Sequence, residues 1–177
     1  MDGLRLATFN VNSVRSRMPI LERWLPKSGV DVLMLQETKA TDEDFPEAAF
    51  AAMGYRARFC GEKSYNGVAA LVRETLSAET SFGFSDREEP DFPTRVSLTR
   101  LAGMTVLNTY VPQGKSVDHP DYEVKKRFLE RVRGLVLREL EGPFLWVGDL
   151  NVAPTDADVT HPENKRGHVC FCHDIQE

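Results

Sequence analysis

A chain of 177 residues, 41% hydrophobic and 28% charged, has room for one domain with a buried core and too few residues for two comfortable ones. Its 22 basic against 27 acidic residues give a net charge of -5, which argues against a protein that coats nucleic acid by bulk electrostatics but leaves room for local basic clusters. No apolar run approaches the roughly 18 residues of a membrane span, the N-terminus lacks the apolar core of a signal peptide, and the three cysteines make no disulfide framework, so a cytoplasmic protein is expected.

Leu4 to Asn10 reads as a first strand ending in Asn10-Val11-Asn12. The next segment, with Pro19 near its start and Ile20, Leu21, Trp24 and Leu25 on one face, reads as a helix closed by Gly29. Val30 to Leu35 is apolar enough for a buried strand and runs into Gln36-Glu37-Thr38-Lys39. Strand, helix and strand within about 35 residues make a βαβ unit, which sets Asn10 and Glu37 side by side. Glu43 to Met53 reads as a short helix, Tyr55 to Cys60 and Gly67 to Val72 as strands flanking a polar turn, and 77–93 as irregular connection with at most a short strand. Thr94 to Leu101 and Met104 to Val111, parted by Ala102-Gly103, form the clearest hairpin. Asp121 to Leu140 repeats apolar residues at helical spacing, with Lys125, Arg127, Arg131 and Arg138 on its polar side. Phe144 to Val147 suits a buried strand, Gly148 permits a sharp exit, and Asp149 and Asn151 emerge at its end. Residues 153–169 read as a long loop before a final incipient helix. The residue pattern taken by itself is one α/β layer pair with a mixed sheet.

Four strands thus finish in polar residues: Asn10 with Asn12, Glu37, Tyr110, and Asp149 with Asn151. Any one of these could be a plain cap or turn former, but together they are a set a hard divalent cation can use, because Mg²⁺ takes oxygen ligands. Glu37, Asp149 and the amide carbonyls of Asn10 and Asn151 would supply the ligands, Asp149 could accept a proton from water, and Tyr110 could donate to a phosphate oxygen. The run His168-Val169-Cys170-Phe171-Cys172-His173 lacks the spacing of structural zinc sites and reads as ordinary packing or helix entry.

The motifs Asn10-Val11-Asn12-Ser13, Leu35-Gln36-Glu37-Thr38-Lys39, Tyr65-Asn66-Gly67, Asn108-Thr109-Tyr110-Val111-Pro112-Gln113-Gly114, Lys126-Arg127-Phe128-Leu129 and Gly148-Asp149-Leu150-Asn151 occur in the order that exonuclease III shows. Over nearly its whole length the chain resembles this branch of the endonuclease/exonuclease/phosphatase superfamily, which also holds the AP endonucleases. The resemblance implies a four-layer αββα sandwich of α/β (α+β) class and Mg²⁺-dependent DNA repair, with Mn²⁺ as a substitute. It implies a 3′-to-5′ exonuclease on duplex DNA and an endonuclease 5′ to abasic sites, acting by metal-assisted attack of water. Glu37 would then be the principal metal ligand, with Asn10, Asp149 and Asn151 beside it. Asp149 would direct the water, Asn151 would hold the scissile phosphate, and Tyr110 would stabilise its developing charge. Arg15, Lys39, Tyr65, Asn66 and Arg127 would line the DNA-contacting rim.

The family pattern also contains a later Ser-Asp-His block that has no match here, and His119, His161, His168 and His173 all lack its context. Residues 1–177 are therefore expected to form a single incomplete family domain, without the half that supplies the second sheet. An apolar sheet face would then be left for a dimer partner or a C-terminal half to cover. Two alternatives to the nuclease reading remain: an inactive truncated fragment of such an enzyme, or a phosphatase or lipid phosphodiesterase of the same superfamily.

Overall fold

The computed structural model describes residues 3–176, which fall into two compact units. The first comprises Met1–Tyr110 and Glu139–Asp149, the second Val111–Arg138 and Leu150–Glu177.

The first unit holds two four-stranded sheets rather than the single mixed sheet expected from the residue pattern. Strands β1 (Leu6–Asn10), β2 (Val32–Gln36), β3 (Tyr55–Glu62) and β4 (Tyr65–Arg73) make the first sheet, in the order β1-β2-β4-β3. Strands β5 (Ala78–Phe82), β6 (Val96–Leu101), β7 (Met104–Tyr110) and β8 (Phe144–Asp149) make the second, in that order. Each sheet carries one parallel pair at one edge. In the first, β1 runs beside β2 with Asn10 opposite Gln36; in the second, β7 runs beside β8 with Tyr110 opposite Asp149.

Helix α1 (Val14–Ser28) makes the β1 to β2 connection. It starts earlier than the position of Pro19 suggests, because Ser13 caps it by accepting from the Ser16 amide, and Pro19 lies inside it. Its C-terminus is closed by Gly29 in the left-handed conformation, as expected. Helix α2 (Glu47–Ala52) follows β2. Strand β2 is buried along its whole length because its two faces meet different partners. Leu33 and Leu35 pack with Leu21, Leu25 and Phe50 of the helices, whereas Val32 and Met34 pack with Leu101 and Val106 of the second sheet. Period-two alternation thus fills two core layers at once, each buried side chain of this size contributing roughly 1.5–3 kcal/mol. The second sheet, expected to be missing, is in this chain and covers that face.

Strand β8 departs from the reading of 144–147 as buried. It is an edge strand, and Leu145 and Trp146 are 38% and 36% exposed. Tyr65 and Asn66, expected in a turn, begin β4 instead.

In the second unit, helix α3 (Pro120–Glu139, whose last residue counts with the first unit) buries Tyr122, Lys125, Phe128, Arg131, Val132 and Leu135. Lys125 and Arg131 therefore do not lie on the polar side where they were expected. After Asn151 come two short 3-10 turns, Asp156–Asp158 and Pro162–Asn164, and the final helix α4 (His173–Gln176). Tyr122, Val169 and Cys172 form a small core there. Among the described residues no helix is long and apolar enough to cross a membrane.

Candidate active site

The carboxyl ends of β1, β2, β7 and β8 bring Asn10, Glu37, Tyr110 and Asp149 together. The amide of Asn10 donates to Glu37 Oε1 at 2.7 Å and to Asp149 Oδ2 at 2.8 Å, so one side chain links carboxylates from both sheets. The Asn10 carbonyl end in turn accepts the Asn12 backbone amide at 3.0 Å. Glu37 itself has a left-handed backbone (φ 52°), which turns the chain out of β2. That turn is pinned on both sides: the Glu37 carbonyl accepts from Ser13 N at 2.8 Å, and Thr38 N and Lys39 N donate to the carbonyls of Gly67 and Asn66 at 3.1 and 3.0 Å. Gly67 is required for this approach, since a Cβ there would lie 2.0 Å from Thr38 Oγ1.

Glu37 has a cation beside it. Lys39 Nζ sits 3.0 Å from Glu37 Oε2 and donates to Asn12 Oδ1. Burial alone would raise the Glu37 carboxyl, but hydrogen bonds from Asn10, Lys39 and Tyr110 and the Lys39 charge outweigh it and hold the group below its ordinary value. Tyr110 moves the other way. Burial, then the charge of Glu37, pushes its phenol up to about 12, so it keeps its proton and can donate at neutral pH.

Two carboxylates that share one amide form a donor set of hard oxygens suited to Mg²⁺ or Mn²⁺. Among the described residues no three His, Cys, Asp or Glu side chains gather for a metal, and Mg²⁺ commonly takes only one or two protein carboxylates, with water and phosphate oxygens as its other ligands. The Cys-Phe-Cys-His run makes no such cluster either; the Cys172 thiol lies 3.0 Å from the Tyr122 hydroxyl instead.

Beneath these residues lies a polar layer between the sheets that the sequence did not single out. Gln36 Nε2 donates to Asn108 Oδ1 at 2.6 Å and to Thr8 Oγ1 at 3.0 Å, and Asn108 Nδ2 donates to Leu35 O at 3.2 Å and Ser97 Oγ at 3.3 Å. All of Gln36, Ser97 and Asn108 are buried, so this network fixes how the two sheets register just below the strand ends. Arg95 was also missed. Its guanidinium lies 4.5 Å from the centre of the Tyr110 ring and donates to the Tyr110 carbonyl at 3.0 Å. Both pairs arise across strands; Gln36 and Asn108 fall inside the motifs quoted from the sequence, whereas nothing there marked Arg95.

Asn151 belongs to the second unit, two residues along the chain from Asp149. Its backbone is left-handed (φ 46°), its amide donates to Val111 O at 2.9 Å, and its carbonyl accepts from Lys125 Nζ at 2.6 Å. Of the expected rim residues, Arg15 is exposed and 3.8 Å from Asp44, and Tyr65 is exposed. Asn66 spends its amide nitrogen on Glu62, while its Oδ1 is buried without a partner. Arg127, in the second unit, is exposed and pairs with Glu130 at 2.9 Å.

These features define the class: an α/β protein of two packed sheets, with a carboxylate delivered to one end by the parallel strand pair of each and the Asn10 amide between them. The chain belongs to the Endonuclease/Exonuclease/phosphatase family, whose profile matches residues 7–173 and so runs through both units. It is 32% identical over 163 residues to exodeoxyribonuclease III of Haemophilus influenzae, covering 88% of this chain and 60% of that protein. A DNA-(apurinic or apyrimidinic site) endonuclease of Dictyostelium discoideum is 26% identical over 173 residues, which are 95% of this chain and 47% of that one. The structure of an AP endonuclease from Archaeoglobus fulgidus superposes with a TM-score of 0.92 at 41% identity, covering 98% of this chain and 67% of that one. That of the 3′ phosphatase NExo from Neisseria, bound to a product DNA hairpin, gives 0.91 at 29% identity, with 98% and 68% covered. The chain thus spans about half to two thirds of the length of these relatives.

Proposed function

We propose that this chain carries the N-terminal part of a Mg²⁺-dependent DNA-repair nuclease, a 3′-to-5′ exonuclease on duplex DNA and an endonuclease 5′ to abasic sites. The observation that carries the reading is the Asn10 amide held between Glu37 and Asp149, one carboxylate from each sheet. The names of the relatives support the substrate, since they are DNA exonucleases, AP endonucleases and a 3′ phosphatase.

Glu37, Asn10, Asp149 and Asn151 would hold Mg²⁺ or Mn²⁺, whose role there is to offset phosphate charge and polarise the P–O bond. Asp149 orients the attacking water and takes its proton. Tyr110, protonated at neutral pH, donates to the phosphate oxygen that gains charge, and Asn151 holds the scissile phosphate through its amide. Arg15, Lys39, Tyr65, Asn66 and Arg127 make the DNA rim, and the negative net charge confines the contact to that rim. Residues 1–177 form part of one family domain, completed by a C-terminal half or by a second copy. Its three free cysteines suit the cytoplasm.

The test is incubation of the chain with duplex DNA carrying an abasic-site analogue, with Mg²⁺ and with EDTA. Cutting that needs Mg²⁺ and is reduced about a hundredfold or more by Glu37→Gln or Asp149→Asn is expected. Release of phosphate from a 3′-phosphorylated duplex or from a phosphoinositide, without cutting, would replace the nuclease by a phosphatase. No hydrolysis of any of the three would make the chain an inactive fragment.

A further inference from the structure

Lys125 is 0% exposed, although a buried ammonium is costly unless its hydrogens are satisfied. It lies on the same stripe of α3 as Tyr122, Phe128 and Val132, where an apolar residue would pack without that cost. What it does there is specific. Its Nζ donates to the carbonyls of Asn151 at 2.6 Å, Val169 at 2.8 Å and Gln113 at 3.3 Å, and lies 3.6 Å from Cys170 Sγ. An ammonium has three hydrogens, and these three carbonyls come from three separate stretches of chain.

The tie is close on every side. Gly114 is left-handed (φ 91°), and a Cβ there would meet Val169 Cγ2 at 2.9 Å and Lys125 Cδ at 3.3 Å. Ala153 N donates to Cys170 O at 2.7 Å, which binds the segment after Asn151 to the one after Val169. Asn151 is therefore held twice, by its backbone carbonyl on Lys125 and by its side-chain amide on Val111 O, in a left-handed conformation that asparagine tolerates better than most residues.

We propose that Lys125 is a positioning residue: its ammonium knots the 113, 151 and 169 segments together and so sets the backbone from which the Asn151 amide reaches a phosphate. The catalytic part of this statement rests on the function proposed above; the knot itself does not.

The test uses the full chain with Lys125→Met, which keeps the stem and removes all three donors, and Lys125→Gln, which leaves two. Hydrogen exchange in segments 111–114, 150–153 and 168–171 is expected to quicken about tenfold or more in the Met variant and by less in the Gln variant, while β1 and β2 keep wild-type rates. On abasic duplex, kcat should fall about tenfold or more with KM within about twofold, and Asn151→Ala added to Lys125→Met should cost little further. Wild-type exchange in the three segments, or losses that multiply in the double variant, would overturn the proposal. If the Met variant does not fold, the Gln variant decides by the same readings. A wild-type chain that cuts nothing refutes the functional reading, and the knot then stands or falls on exchange alone.

Discussion

Tyr110 shows how a site residue is tuned by groups that are distant in sequence. Burial and the Glu37 carboxylate push its phenol up to about 12, while the Arg95 guanidinium over its ring opposes them. Because the folded chain binds this proton more tightly than an unfolded tyrosine near pH 10, the associated stability is whole below about pH 10 and is lost as pH rises toward 12. Tyr110→Phe should remove that part of the alkaline slope. Denaturant unfolding across the window checks it, and an unchanged slope would show that the phenol is not the group responsible. At this scale the sequence was informative wherever a polar residue ended an apolar run, as at Asn10, Glu37 and Asp149. It was silent on Arg95, which reaches Tyr110 only because the hairpin register sets Val96 opposite Thr109. It misplaced Lys125 because a lysine on an amphipathic helix is ordinarily assigned to water. Only the tertiary carbonyls explain its burial.

Strand β8 is where element and site depend on each other most directly. Gly148 pairs with Thr109 at φ 128°, and a Cβ on it would lie 2.0 Å from the Thr109 carbonyl oxygen and 2.8 Å from its nitrogen. Two penalties therefore combine at Gly148→Ala, a backbone region that L residues avoid and a collision with the neighbouring strand. Gly103 isolates the first, since it has φ 77° with nothing within 4 Å of its notional Cβ. Gly103→Ala should cost about 1 kcal/mol and Gly148→Ala about 3 kcal/mol, the excess being the price of pushing β8 off β7. Urea denaturation of the two variants reads the difference, and equal losses would mean that β8 gives way without strain. The glycine before Asp149 was visible in the sequence as a chain exit. Its close approach to Thr109 was not, because that depends on a parallel pairing made across more than thirty residues.

For the molecule as a whole, an apolar sheet face was expected to lie open, and the structure relocates that exposure. Both sheets are present and cover each other through Val32, Met34, Ala70, Leu101 and Val106, so the face is buried. One sheet ends at β1 and the other at β8, and these edge strands carry Asn10 and Asp149. Alternation marks which side chains share a face, but it cannot show how eight strands divide between sheets, which is why the second sheet was missed. Phe9 on β1 is 37% exposed and lines one groove with the exposed Trp24 of α1, and Leu145 and Trp146 are exposed on β8. Edge strands with exposed apolar side chains and unpaired backbone groups favour association with another strand. The 177-residue chain should therefore dimerise or associate further with rising concentration, and sedimentation should show it. Leu145→Lys places a charge on the β8 edge without touching the Asn10, Glu37 and Asp149 cluster, so it should shift the protein toward monomer if β8 is the contact. A wild-type chain that stays monomeric at every concentration would refute edge pairing. Association that Leu145→Lys leaves unchanged would move the contact from β8 to another edge, and Phe9→Lys provides the same test for β1.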